Sequence, residues 1–272
     1  MTQSHVHPPD HYPGSRYSGR LVAPRSFMVD APPRLFVADP GRFQLFAGWF
    51  SPWSQRSTLV VALTGLTDVV RVSYIEEPGG LRRVRRAYEA SDSTFTGPVS
   101  VPMLWDGETR QVVSNDPATL DVDLATELRD WSTTGLELYP PDLRDEIDEL
   151  DRWLGPAVNQ GVYRAIGASG QSVQARSVLQ DAFGRLDRRL ANSRYLLGNR
   201  LTLADVRLWV TLVRYALPVG GTRRIGAQLS QYGSLWAYAQ NLYEHEAFQR
   251  TSDPSSYSRG LYLAGTGLLE RV

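Results

Sequence analysis

At 272 residues the chain can hold two modest domains or one large one, and 42% hydrophobic with 21% charged residues at a mean hydropathy of -0.30 is the balance of an ordinary globular protein. A formal net charge of zero and a pI near 6.9 remove the electrostatic case for nucleic acid or an anionic membrane as partner. There is no cysteine and no lysine, and the four histidines stand at 5, 7, 11 and 245, which excludes thiol catalysis, disulfides, thiolate zinc sites, Schiff bases and a phosphate loop ending in Gly-Lys.

In chain order, residues 1–38 are rich in Pro, His and Ser and read as an extended arm. They lack the basic start and apolar run of a secretory signal, and no apolar stretch approaches the roughly 18 residues of a membrane helix, so a cytoplasmic protein is expected. After the Asp39-Pro40-Gly41 turn, Phe43–Phe46 reads as a strand. Ser51-Pro52 then opens a helix through Leu63, because serine caps a helix well and proline at the first position lacks only an N–H that would be orphaned anyway.

Val69–Ile75 is a second strand, with Val70, Val72 and Tyr74 alternating against Arg71 and Ser73. The run Arg82, Arg83, Arg85 and Arg86 reads as a solvated face or loop. Met103-Leu104-Trp105, the turn Asp106-Gly107, and Gln111-Val112-Val113 make a hairpin, and a helix follows from Pro117 to about Leu128. That order is an α/β unit over residues 39–128. Residues 129–141 serve as linker.

From 142 to 250 only helices are expected. Leu143, Ile147, Leu150 and Leu154 form one stripe, and Val178, Leu179, Phe183, Leu186 and Leu190 another. Val206 to Val213 is apolar nearly all round and marks a central buried helix, with Leu235–Tyr243 beside it. Residues 251–272 form a tail. Thr202 and Asp205 have the spacing of a capping box at the start of the central helix.

The run Gly198-Asn199-Arg200-Leu201-Thr202-Leu203-Ala204-Asp205 resembles the motif that opens the core helix of the glutathione-transferase superfamily. Pro40-Gly41-Arg42-Phe43, Ser51-Pro52-Trp53-Ser54-Gln55-Arg56, Val101-Pro102-Met103-Leu104-Trp105-Asp106, Ser114-Asn115-Asp116, Leu138-Tyr139-Pro140, Asn159-Gln160-Gly161-Val162-Tyr163-Arg164 and Thr211-Leu212-Val213-Arg214-Tyr215 are similar to the glutathionyl-hydroquinone reductases, or Xi-class transferases. The resemblance covers residues 35–243. It implies a thioredoxin-like N-terminal domain, an all-α C-terminal domain and a homodimer.

It also implies a site. Val101-Pro102 would be a cis peptide that turns the Val101 backbone toward a peptide-like thiol cosubstrate, with Trp53, Ser114 and Asp116 also on the thiol and Asp116 meeting its amino group at a helix start. Tyr163, Arg164 and Tyr215 would face a quinone-type substrate. The family's catalytic cysteine is Ser51 here, and a hydroxyl cannot accept glutathione as a mixed disulfide. Pro98 and Pro117 replace the family's Arg and Ser, and a tyrosine expected near Val219 is missing.

The resemblance therefore implies a thiol transferase in which Ser51 and Tyr163 are catalytic and Ser51 donates a hydrogen bond to the thiolate of glutathione or mycothiol, without a metal. The electrophile would be a small aromatic or quinone-type molecule. The alternative is a cysteine-less transferase fold remade as a small-molecule binding protein or a thiol-independent tailoring enzyme.

Overall fold

The computed structural model describes residues 41–166, 170–216 and 228–257. The expected arm, most of the tail, and Val219 lie outside them. Strand β1 (Phe43–Ala47) leads into helix α1 (Pro52–Thr64); β2 (Val70–Tyr74), α2 (Gly80–Ser91), β3 (Met103–Asp106), β4 (Gln111–Ser114) and α3 (Leu120–Thr126) follow. The sheet order is β2-β1-β3-β4, with β1 parallel to β2 and antiparallel to β3. This is the thioredoxin-like arrangement, and the Val101-Pro102 peptide is cis.

Alternation along the strands gives the sheet two cores. Leu45 and Leu104 point into the larger one, against Leu59, Leu120 and Leu124, while Phe46 and Met103 point into a smaller one with Val84, Ala87, Tyr88 and Val112. The second core rests on α2, the helix that the arginine run conceals. Gly80–Ser91 buries Val84, Ala87 and Tyr88 at helical spacing and leaves Arg82 and Arg86 in solvent. In β2 the expected alternation fails at Ser73, which is buried and accepts a hydrogen bond from Gln44 Nε2 at 2.8 Å.

The remaining elements are helical: α4 (Arg144–Leu154), α5 (Gly161–Ala165), α6 (Gly170–Leu190), α7 (Leu203–Ala216), α8 (Gly233–Tyr243) and α9 (Glu246–Arg250). A single wide turn, Gly155–Asn159, joins α4 to α5. Ile147, Leu150 and Leu154 are buried as the spacing requires, and so are Leu179, Phe183, Leu186 and Leu190. Val178 departs from that stripe and is 43% exposed. Helix α7 is buried from Leu203 through Leu212, and the larger core runs through it into the sheet without a break.

The segment joining the two parts docks on the end of α1. Gly65 closes that helix at φ 68, and a Cβ there would stand 2.0 Å from Thr133 Oγ1, so glycine is required twice over. Ser132 Oγ donates to Thr64 O at 2.8 Å and Thr134 Oγ1 to Leu63 O at 2.9 Å, satisfying carbonyls the helix leaves orphaned.

The start of α7 is more than a capping box. Asp205 accepts the Thr202 N–H at 2.9 Å as expected, but Thr202 Oγ1 donates to the same carboxylate at 3.0 Å instead of accepting from Asp205. Leu196 N–H and Tyr238 OH, each at 2.9 Å, occupy the other carboxylate oxygen. Burial raises the Asp205 carboxyl pKa overall, against those hydrogen bonds, each of which pulls it down.

Candidate functional site

The antiparallel pairing of β1 with β3 and β3 with β4 brings Ala47, Pro102 and Ser114 to one end of the sheet: Phe46 pairs with Met103, and Leu104 with Ser114. Ser51 follows from this end as the N-cap of α1, and Asp116 lies two residues past β4. The candidate thiol residues of the sequence therefore share one edge of the fold. Tyr88, fully buried in α2, ties two of these segments together. Its hydroxyl lies 3.0 Å from Ser100 Oγ, just before the cis peptide, and accepts from Asn115 Nδ2 at 3.1 Å, between Ser114 and Asp116.

Ser51 is 6% exposed. Its Oγ accepts the Ser54 N–H at 3.2 Å, so the hydroxyl proton remains to be donated. The loop before it is held from several directions: Ser54 Oγ accepts Gly48 N–H at 3.1 Å, Glu76 Oε1 accepts Trp49 N–H at 2.9 Å, and Ser51 N–H donates back to Gly48 O at 3.0 Å. The first two turns of α1 bury an unusual polar set, Ser54, Gln55, Arg56, Ser57 and Thr58. Arg56 stacks over Trp53, its guanidinium carbon 4.3 Å from the ring centre.

Ser114 Oγ accepts the Asp116 N–H at 3.3 Å, and Asp116 Oδ1 accepts the Ala118 N–H at 3.1 Å. The helix expected from Pro117 starts only at Leu120 and has seven residues, because Asp116 O first turns the chain by accepting Thr119 and Leu120 N–H. Asp116 thus shapes the turn before α3 and stands outside the helix itself.

Tyr163, on α5, is half-buried and packs against the larger core. Burial raises its hydroxyl pKa, and the positive charges of Arg214 and Arg56 pull it back. Arg164 is exposed and its guanidinium donates to the Pro156 carbonyl on the helical side. Tyr215 is a core residue, 2% exposed with its ring edge-on to Phe183 at 5.1 Å, and burial raises its pKa to about 12. Ser51, Trp53, Val101, Pro102, Ser114 and Asp116 thus lie toward one end of the sheet, while Arg164 and Tyr215 are directed elsewhere. His245 caps α9 by accepting the Ala247 N–H at 3.1 Å.

Sequence reasoning passed over Tyr88, Gln55, Arg214 and Tyr257. A signal existed for the arginine: Arg207, Thr211 and Arg214 follow one face of α7, and all three make cross-chain polar contacts. Among the described residues no cluster of His, Asp and Glu could hold a metal, and no helix is long and apolar enough to cross a membrane.

A family model for the glutathione S-transferase C-terminal domain matches residues 141–241. The chain is 30% identical to the glutathionyl-hydroquinone reductase YqjG of Escherichia coli, over 79% of this chain and 73% of that protein. It is 31% identical to the glutathionyl-hydroquinone reductase PcpF of Sphingobium chlorophenolicum, over 78% and 74%. The glutathione-bound structure of YqjG superposes with a TM-score of 0.74 at 28% identity, covering 84% of this chain and 81% of that one. A glutathione transferase from Gordonia bronchialis superposes at 0.75 with 31% identity, over 84% and 78%.

Proposed function

We propose, for a chain that belongs to the glutathione S-transferase superfamily and within it to the glutathionyl-hydroquinone reductase and Xi-class branch, that it transfers a low-molecular-weight thiol by hydrogen-bonding its thiolate to Ser51. The observation that carries this reading is the state of the Ser51 hydroxyl: it accepts from Ser54 N–H at the head of α1 and keeps its own proton. A thiol with an ordinary pKa near 8.5 is only a few per cent ionised at neutral pH. A hydroxyl donor and the positive end of α1 both favour the anion.

The thiolate then attacks an electrophilic carbon of a small aromatic or quinone-type substrate. The C–S bond forms, the leaving group departs with its electron pair, and the thiol proton goes to solvent. Tyr163, which feels the charges of Arg214 and Arg56, is assigned the donation to the substrate. The glutathione bound in the YqjG structure supports glutathione as the thiol, with mycothiol the other candidate; Asp116 and the Val101 backbone suit a peptide-like amine and amide.

The test is Ser51→Ala. Turnover of glutathione or mycothiol with a halogenated nitroarene should fall and its pH-rate profile should move to higher pH, while stability drops by only about 1 kcal/mol, the loss of a cap. In the unmutated protein, glutathione at 100 times its dissociation constant should add about 2.7 kcal/mol to stability in a thermal-shift assay. If neither thiol stabilises the protein and Ser51→Ala leaves turnover unchanged, the site belongs to a small-molecule binding protein or a thiol-independent enzyme.

A further inference from the structure

Arg214 reaches from α7 into the loop that precedes Ser51. Its Nη1 donates to Phe50 O at 2.9 Å, its Nη2 to Trp49 O at 3.1 Å, and its Nε to Gln55 Oε1 at 3.1 Å. Because arginine only donates, the Gln55 oxygen must face it and the Gln55 amide nitrogen must face away. That nitrogen lies 2.7 Å from Tyr257 OH and 3.1 Å from both Thr251 O and Ser252 Oγ. Tyr257 closes the network: the guanidinium carbon lies over its ring, 3.9 Å from the ring centroid.

The contacts join segments 159 to 202 residues apart. Three features point beyond plain packing. First, the acceptors are the carbonyls of the two residues immediately before Ser51, so the arginine fixes the direction from which the serine enters its helix. Second, no carboxylate among the described residues lies within ion-pair distance of Arg214, so its charge is held by neutral dipoles alone. Third, the titratable and charged groups that bear on it electrostatically are Tyr257, Tyr163 and Arg56, two hydroxyls and a second cation. Arg214 is half-buried, and a partly desolvated cation without a counter-ion is relieved by an anion that a ligand brings.

We infer that Arg214, locked by Gln55 and Tyr257, is the positioning residue for Ser51, and that the segment Thr251–Tyr257 is thereby part of the thiol site. The acidity part of this inference rests on the thiol-transfer reading; the positioning part does not. Arg214→Lys keeps the charge and loses the fork. Tyr257→Phe keeps the stacked ring and loses the hydrogen bond to Gln55, and it serves where the arginine variant fails to fold.

Amide hydrogen exchange of the full chain reads the positioning directly. Residues 48–54 should exchange about tenfold faster in either variant while the sheet and α7 stay protected, since local opening reflects the contacts that hold a segment. Unchanged exchange in that loop overturns the inference. With glutathione and a halogenated nitroarene, the pH-rate profile of each variant should move up by about half to one unit, as a misdirected donor stabilises the thiolate less. Wild-type turnover with profiles that do not move would overturn the acidity claim and leave the transferase standing. A wild-type protein without thiol turnover removes the transferase reading, and the exchange result still decides the positioning.

Discussion

Arg207 and Arg214 stand two turns apart on α7, and both cross from the helical part of the molecule to the thioredoxin-like part. They are held in opposite ways. Arg207, with 5% of its side chain exposed, makes a bidentate pair with Asp121 of α3 at 2.8 and 2.9 Å and has Asp151 at 3.4 Å. Desolvation presses its pKa down, but the carboxylates, Asp121 first, carry it well above its ordinary value. Arg214 has three neutral oxygens and an aromatic face, and its pKa is lowered by burial. A buried charge with its counter-ion built in is a fastener. A half-buried charge held by dipoles alone leaves net charge available to whatever binds beside it, and here that place is next to the loop before Ser51.

The comparison breaks most visibly at Asp121. Asp121→Ala strands the Arg207 guanidinium in the interior, and removing one partner of a buried pair costs about 3–5 kcal/mol. Asp151 remains within reach, which places the expectation near the lower end, about 3 kcal/mol, read from urea unfolding at neutral pH. Thiol turnover per folded molecule should stay constant. A loss below about 1 kcal/mol would mean that the fastener is Asp151, or that the pair sees more water than its burial indicates.

Asp205 sharpens the contrast from the anionic side. It is a buried carboxyl without a counter-ion, and four donors fill both of its oxygens. Asp205→Ala would orphan Leu196 N–H, Thr202 N–H and the Tyr238 hydroxyl, at about 2–4 kcal/mol in total. The measurement is again unfolding, with thiol affinity followed alongside. If affinity falls as well, dipole-held charges in this fold do not separate into structural and functional kinds.

Much of this was legible in the chain before folding. The cap Ser51, the hairpin with its Asp106-Gly107 turn, the stripe Ile147, Leu150, Leu154 and the apolar helix at Val206 each carry a local signal that tertiary structure keeps. Helix α2 was hidden because four arginines obscured the spacing of Val84, Ala87 and Tyr88, and with it went Tyr88, the group that joins Ser100 to Asn115. Arg214 stood in a recognised segment, but the neighbouring Tyr215 drew the functional reading. Only the path of the chain shows that the tyrosine turns into the core against Phe183 while the arginine turns out toward Phe50. Gln55 and Tyr257 lie 202 residues apart, and no local pattern can pair them.

The smallest expected effect lies in a third kind of charge, the pair Arg42 and Asp106 at the far end of the sheet. Arg42 Nε and Nη2 reach the carboxylate at 3.1 and 2.7 Å, and the Glu108 N–H adds 2.9 Å. Desolvation pushes the Asp106 pKa up, but the Arg42 hydrogen bond, the Glu108 N–H and the Arg42 charge outweigh it, and the folded value lies below the ordinary carboxyl value of 3.8. For a carboxyl depressed in the folded state the stabilisation is present above the unfolded pKa and is lost as pH falls through the folded one. Stability should therefore decline as pH drops from about 5 into the range below 3.8, and Asp106→Asn should flatten that decline. At neutral pH the substitution should cost about 1 kcal/mol, because Asn still accepts one of the arginine hydrogen bonds. Unfolding measured from pH 7 to pH 3 separates this pair from the one at Arg207. Equal pH slopes in the variant and the unmutated protein would show that Asp106 is ionised no more readily in the fold than in the open chain.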